Sequence, residues 1–253
     1  MDSKTALSPL TRRLSLISPL SAEDETAVLA LPHTLRSLEN AQYVVREGDR
    51  ATLSCLVLDG FAIRHKVTSE GGRQILNVHM AGDMVDLQNS LLEVADHNVQ
   101  ALSKLKAAFI PREAIIELAF ERPAVGKALW LETLVEGSIA REWIVNVGRR
   151  SALQRIAHLL CEFAYRLGAV GLDQACEYEL PMTQEQIADT VGLTPVHVNR
   201  TLKEIDRLGL TRRTKKSIAI TDLAKLARYA DFRSTYLHLP QRALPPHLQG
   251  QCG

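Results

Sequence analysis

The side chains best suited to chemistry in this chain are concentrated between Thr183 and Lys216. Thr194 and Pro195 open a segment in which Val198, Leu202, Ile205 and Leu208 recur at three- and four-residue steps. That spacing puts the four on one face of a helix. Val196, His197, Asn199, Arg200 and Lys203 are left on the other face, toward the helix N-terminus. Arg200 can donate two parallel hydrogen bonds to guanine, and Asn199 and His197 can reach bases or phosphates. The chemistry these types point to is the reading of base edges in a major groove.

The neighbouring residues supply the frame such a helix needs. Thr183 precedes Gln184-Glu185-Gln186, an N-cap with a glutamine three residues on. Ile187, Ala188 and Val191 are the apolar positions of this first helix, and Gly192 ends it. Thr194 caps the second helix and Pro195 takes its first position. Two helices joined by so short a turn read as a helix-turn-helix, with the second one in the groove. Leu210 to Ile220 then reads as two short strands around a basic turn, a wing. Arg212, Arg213, Lys215 and Lys216 in that turn are expected to neutralise flanking phosphates. A basic run alone is more often a solvated surface; its position beside the two helices is what gives it meaning. Thr221 and Asp222 cap a final helix, Leu223 to Ala230.

Several elements must carry this unit. Residues from about 20 to 111 read as β-rich, with short strands such as Tyr43-Val44-Val45, Cys55 to Leu58, Phe61 to Val67 and Gln74 to Val78 separated by glycine turns. Their regular spacing suggests a small barrel or jelly roll. Arg112 to Phe120 reads as a short helix, and Pro123 begins a long one running to about Arg150. Val125, Leu129, Thr133, Gly137, Ala140, Ile144 and Val147 form one apolar stripe of that helix, while Trp130, Leu131, Leu134, Val135, Ile139 and Trp143 cover other faces. Such a helix needs two partners, its own β domain and a symmetry mate. Gly137 in its interior costs roughly 1 kcal/mol against alanine, which a close second backbone would justify. A helix buried in a monomer core fits the same pattern equally well. Ser151 to Leu167 is a further amphipathic helix, Gly168 to Glu179 reads as a linker, and residues 233–253 read as irregular. The expected division is 20–122 for the β domain, 123–150 for the dimerisation helix, 151–232 for the winged helix and 233–253 for the tail, an α+β chain.

Bulk properties set limits on function. The 253 residues carry a net charge of +1, so any attraction for nucleic acid must be local. With 46% hydrophobic and 23% charged residues the composition is globular. No apolar run reaches membrane-spanning length, and Met1 to Leu20 lacks a signal-peptide core, so a cytoplasmic protein is expected. Cys55, Cys161, Cys176 and Cys252 are isolated and read as buried thiols. Glycine-rich phosphate loops, metal-ligand spacings and nucleophile elbows are absent, which argues against an enzyme.

With these residues in hand, the chain resembles the Crp/Fnr family of bacterial regulators. The resemblance rests on Thr183-Gln184-Glu185, Ile187-Ala188, Gly192-Leu193-Thr194 and Val198-Asn199-Arg200-Thr201-Leu202, with Glu47-Gly48-Asp49 and Gly82-Asp83 in the β region. It implies a cyclic-nucleotide-binding-like β-roll (a double-stranded β-helix), a long dimerisation helix and a C-terminal winged helix-turn-helix. It also implies that Arg200 is the recognition arginine. Many members have a base-reading glutamate where this chain has Val196, which can contact only a thymine methyl. Members that bind cyclic AMP hold its ribose with a glutamate after the Gly-Asp turn and its phosphate with an Arg-Ser pair. Here Met84-Val85-Asp86-Leu87-Gln88 follows Gly82-Asp83, the phosphate region reads Glu93-Val94-Ala95-Asp96-His97-Asn98, and no arginine lies between Arg73 and Arg112. Cyclic AMP is therefore not expected. No cysteine precedes Cys55, so the N-terminal iron–sulfur cluster of oxygen-sensing members is not expected either. Haem or another effector stays open, with His65, His79 and His97 as candidate ligands.

The function expected is sequence-specific regulation of transcription initiation by a homodimer on a palindromic double-stranded DNA operator, with RNA polymerase as a partner if the protein activates. The competing expectation is a ligand-sensing or protein-interaction module whose winged helix docks a protein.

Overall fold

The computed structural model describes residues 5–171, 176–214, 217–240 and 243–249. The chain forms two compact units divided between Glu136 and Gly137. The division falls inside the long helix, which is shared between the units rather than standing as a separate part.

The first unit opens with α1 (Ser8–Ile17) and α2 (Ala22–Leu29). The β-rich reading from residue 20 is corrected here: Ser21 accepts from the Asp24 amide and Asp24 accepts from the Ser21 amide, a capping box that starts a helix. Strands β1 (Thr34–Leu38), β2 (Tyr43–Val45), β3 (Leu53–Asp59), β4 (Ala62–Val67), β5 (Arg73–His79), β6 (Asn98–Ala101) and β7 (Leu105–Pro111) follow. They form two antiparallel sheets, β1-β7-β3 and β2-β6-β4-β5, the β-roll. Alternation along β3 and β7 serves two cores, because side chains two apart share a face. Cys55, Val57, Ala107 and Phe109 pack with Val45, Val85, Val99 and Leu105 inside the roll. Leu56, Ala108 and Ile110 face the other way, onto α1, α2, α3 (Arg112–Glu121) and the start of α4 (Pro123–Arg149). Leu10 and Leu14 of α1 belong to this second core, so residues before 20 are part of the unit.

The second unit contains the rest of α4, then α5 (Ala152–Ala169), β8 (Glu177–Glu179), α6 (Gln184–Val191), α7 (Pro195–Arg207), β9 (Thr211–Arg213), β10 (Ser217–Ile220) and α8 (Leu223–Ala230). Strands β8-β10-β9 form one antiparallel sheet. The expected linker from Gly168 to Glu179 is therefore too long: α5 runs through Ala169 and Glu177–Glu179 is a sheet strand. The tail also departs from expectation. Ser234–Leu237 and Pro246–Leu248 are 3-10 turns, and Leu237, Leu244 and Leu248 are buried.

Candidate nucleic-acid interface

The geometry of the reading unit follows from its caps. The Thr183 hydroxyl accepts from the Gln186 amide and the Gln186 side chain accepts from the Thr183 amide, which starts α6. Gly192 ends α6 at φ 65°, left-handed backbone that a side chain would strain. Thr194 accepts from the His197 amide at 3.3 Å and Pro195 fills the first turn of α7. Val198, Leu202 and Ile205 of α7 are buried with Ile187, Ala188 and Val191 of α6. Leu208, expected on the buried face, is half-buried at the C-cap.

The opposite face of α7 is open. Thr194, Pro195, Val196, Arg200 and Lys203 are exposed, and His197 and Asn199 are half-buried. Val196 reaches 81% exposure, which is notable because an apolar side chain at that level contributes nothing to its own fold. Residues 196, 200, 203 and 207 follow one helical face, so a valine, two arginines and a lysine share it. Thr183 is exposed at the start of α6.

The wing is tied to α7 by one carboxylate. Asp206 accepts from the Thr211 hydroxyl at 2.6 Å and from Arg213 Nε and Nη2 at 2.8 and 2.6 Å. The Arg213 guanidinium, expected at a phosphate, is engaged by Asp206 through Nε and Nη2 and so anchors β9 to α7. Arg212 is exposed. Lys215 and Lys216 lie outside the described residues.

Arg155 holds the turn between α6 and α7 in place, a contact the sequence reading missed. From α5 it donates to the carbonyls of Val191 and Gly192 at 3.0 and 3.4 Å, and to that of Arg150 at 2.9 Å. It satisfies orphan carbonyls at the C-terminal end of α6 and so fixes the turn between α6 and α7. No local spacing signals such a contact, because 36 residues separate Arg155 from Val191.

The expected dimerisation stripe is only partly available. Val125 and Leu129 are buried in the helical core of the first unit, so these two are corrected from interface to protomer core. Thr133, Gly137 and Val147 are half-buried, while Ala140 and Ile144 are exposed. The open apolar side chains of α4 are Trp130, Leu134, Ile144 and Val145, at 68, 52, 69 and 45%.

The roll side of the first unit holds the candidate effector residues. The Arg64 guanidinium donates to the Val85 carbonyl and pairs with Glu136 at 3.3 Å. His97 Nδ1 lies 2.6 Å from Asp96, and its Nε2 lies 3.2 Å from the Gln88 amide nitrogen. His65, His79 and His97 are each buried to 4% exposure or less. Among the described residues no group of three or more His, Cys, Asp or Glu could hold a metal ion. Cys55, Cys161 and Cys176 are buried, and burial pushes the Cys55 thiol well up from its ordinary range. Cys252 lies outside the described residues.

Comparison with known proteins agrees with this arrangement. Residues 35–122 match the cyclic nucleotide-binding domain and residues 154–229 the Crp-like helix-turn-helix domain. The transcriptional activator protein FnrL of Cereibacter sphaeroides is 30% identical over 211 residues, covering 82% of this chain and 84% of that protein. The nitrogen fixation regulation protein FixK of Azorhizobium caulinodans is 26% identical over 68% of this chain and 69% of its own. Among solved structures, FixK2 from Bradyrhizobium japonicum superimposes with a TM-score of 0.72 at 24% identity, covering 79% of this chain and 98% of that one. With a β-roll, a long helix and a C-terminal helix-turn-helix in that order, the chain belongs to the Crp/Fnr family of transcription regulators.

Proposed function

We propose that the protein binds a palindromic operator as a homodimer and thereby regulates transcription initiation, with α7 of each protomer in a major groove. The observation that carries this reading is the two-faced α7. Its apolar side is buried against α5 and α6, and its other side offers Val196, Arg200 and Lys203 to solvent. Arg200 suits a guanine and Val196 a thymine methyl. Arg212, Lys215 and Lys216 are assigned to flanking phosphates, a sequence-independent contribution.

The second copy is assigned to the open face of α4. Trp130, Leu134, Gly137, Arg141, Ile144 and Gly148 recur at alternating four- and three-residue steps, the seam of a two-stranded coiled coil. Glycines at 137 and 148 let the helices approach closely, and an added Cβ at Gly148 would meet nothing within 4 Å in the protomer.

The residues present do not fit a cyclic nucleotide. Leu87 and the acidic run Glu93 to Asp96 offer no cradle for a phosphate, and Arg64 is already committed to Val85 and Glu136. Haem at His65, His79 or His97 would have to displace their present packing. The reading is of a regulator with no enzymatic step, acting in the cytoplasm, with RNA polymerase as a partner where it activates. Among the described residues no helix is long and apolar enough to cross a membrane.

Selection from random duplexes tests the proposal. Enrichment of an inverted repeat with half-sites about one helical turn apart supports it. Enrichment of no sequence, with a shallow dependence of binding on salt, would favour the protein-docking alternative.

A further inference from the structure

A winged helix is complete at α8, yet the chain continues and the continuation is built into the second unit. Asp231 follows α8 in left-handed backbone, and its carbonyl accepts from Arg150 at 3.0 Å. Phe232 is buried, with its ring 5.0 Å from His158 and 5.4 Å from Tyr165. Tyr236 stacks on His158, and its hydroxyl donates to Glu162 at 2.7 Å. The same Glu162 accepts from Trp143 Nε1 of α4 at 2.9 Å and from Arg166 at 3.3 Å. His238 Nε2 lies 3.2 Å from the Ser138 hydroxyl of α4. Further on, the Leu248 carbonyl accepts from the Tyr165 hydroxyl, and Pro245 and Leu248 press on α5 at Gly168. A Cβ at Gly168 would stand 2.5 Å from Leu248 Cδ1 and 3.3 Å from Pro245 Cδ, so this glycine suits the tail and not the helix.

We propose that residues 231–240 and 243–249 form a strap that fixes α5 to the C-terminal half of α4, with Tyr236 as the positioning residue that sets the reading helix for an operator of two half-sites. Glu162 is the knot: one buried carboxylate holds a tryptophan from α4, an arginine from its own helix and the tyrosine of the strap. Arg155 of α5 then carries that placement to the turn before α7. A dimer gains affinity from its second half-site only when both reading helices meet the duplex in register. Loosening the strap removes that gain and leaves binding to one half-site intact. The inference rests on the dimeric reading above.

The test uses the full chain, a chain ending at Ala230, Tyr236→Phe, Gly168→Ala, and Gly168→Ala in the shortened chain. Each is titrated with the selected operator and with a duplex that keeps one half-site. All variants are expected to hold the single half-site as the wild type does. The shortened chain is expected to lose about tenfold or more on the operator, and Tyr236→Phe, which keeps the ring, severalfold. Gly168→Ala should weaken operator binding in the full chain and change nothing in the shortened one. Unchanged operator affinity, a parallel fall on both duplexes, or an equal effect of Gly168→Ala in both chains would overturn the strap. A wild-type protein that binds the operator no better than the half-site would instead remove the dimeric reading, a result seen before any variant is compared.

Discussion

In the proposed reading, Arg200 is the side chain assigned to base recognition. It is exposed on α7 beside Val196, and Asp206, the nearby carboxylate that engages an arginine, is occupied by Arg213. Arg200→Ala is expected to cost roughly 1–3 kcal/mol on the selected operator and to relax preference at one base pair. Competition with duplexes substituted at each position measures this, and unchanged preference everywhere would refute the assignment. Arg212→Ala should weaken specific and non-specific duplexes alike and reduce the salt slope, as expected of a phosphate contact. Asp86 gives a separate prediction. Burial raises its carboxyl from 3.8 to about 6, against the opposing donors of Cys55 and Ser54. Its native value lies above the unfolded one, so its stabilising contribution is full below about pH 4 and is lost as pH rises through 6. Asp86→Asn keeps an acceptor for both donors. It should therefore gain on the wild type between pH 4 and 7 by about 3 kcal/mol, read as the difference between urea unfolding curves. A difference that stays constant with pH would mean the carboxyl is not perturbed.

The helices decide how much of each pattern is available. Helix α1 is joined to α4 by Arg13 and Glu132, whose atoms meet at 3.0 Å with side chains 12 and 6% exposed. Removing one partner of a buried pair leaves the other charge without compensation, so Arg13→Ala should destabilise the first unit by about 3–5 kcal/mol. Calorimetry of Arg13→Ala and of the double variant with Glu132→Gln tests it, because the double variant should recover part of the loss. Helix α4 carries the dimer prediction. Trp130→Glu with Leu134→Glu places two charges on the open face and should give monomers in sedimentation, with loss of operator affinity. A dimer that persists would move the interface elsewhere. That α4 is apolar on more than one face was legible in the sequence, but not which stripe faced which partner: of its open apolar side chains Trp130, Leu134, Ile144 and Val145, only Ile144 lies in the expected stripe. Val125 and Leu129 go to the protomer because α1, which the sequence reading left outside the β domain, supplies Leu10 and Leu14 to cover them.

At the scale of the whole molecule, two buried groups, one in each unit, respond to acid in opposite senses. In the second unit burial lowers His158 to about 3, so its contribution is present above about pH 6.5 and lost as pH falls. Asp86 in the first unit works the other way, its contribution being lost as pH rises through about 6. The amino-acid sequence by itself determined the order of parts and the reading unit. Those follow from local physics: helical periodicity from Val198 to Ile205, hydroxyl caps at Thr183 and Thr194, and a glycine at 192 whose backbone must be left-handed. Tertiary structure alone decided which partner each ambiguous residue takes. Arg213 closes on Asp206, Arg155 reaches the end of α6, and a proline-bearing tail that reads as irregular packs onto α5 through Phe232, Tyr236 and Leu248. The reason is physical: a basic side chain has the same local signature whether it meets a phosphate, a carboxylate or a helix carbonyl, and only the contacts brought together across tens of residues distinguish them.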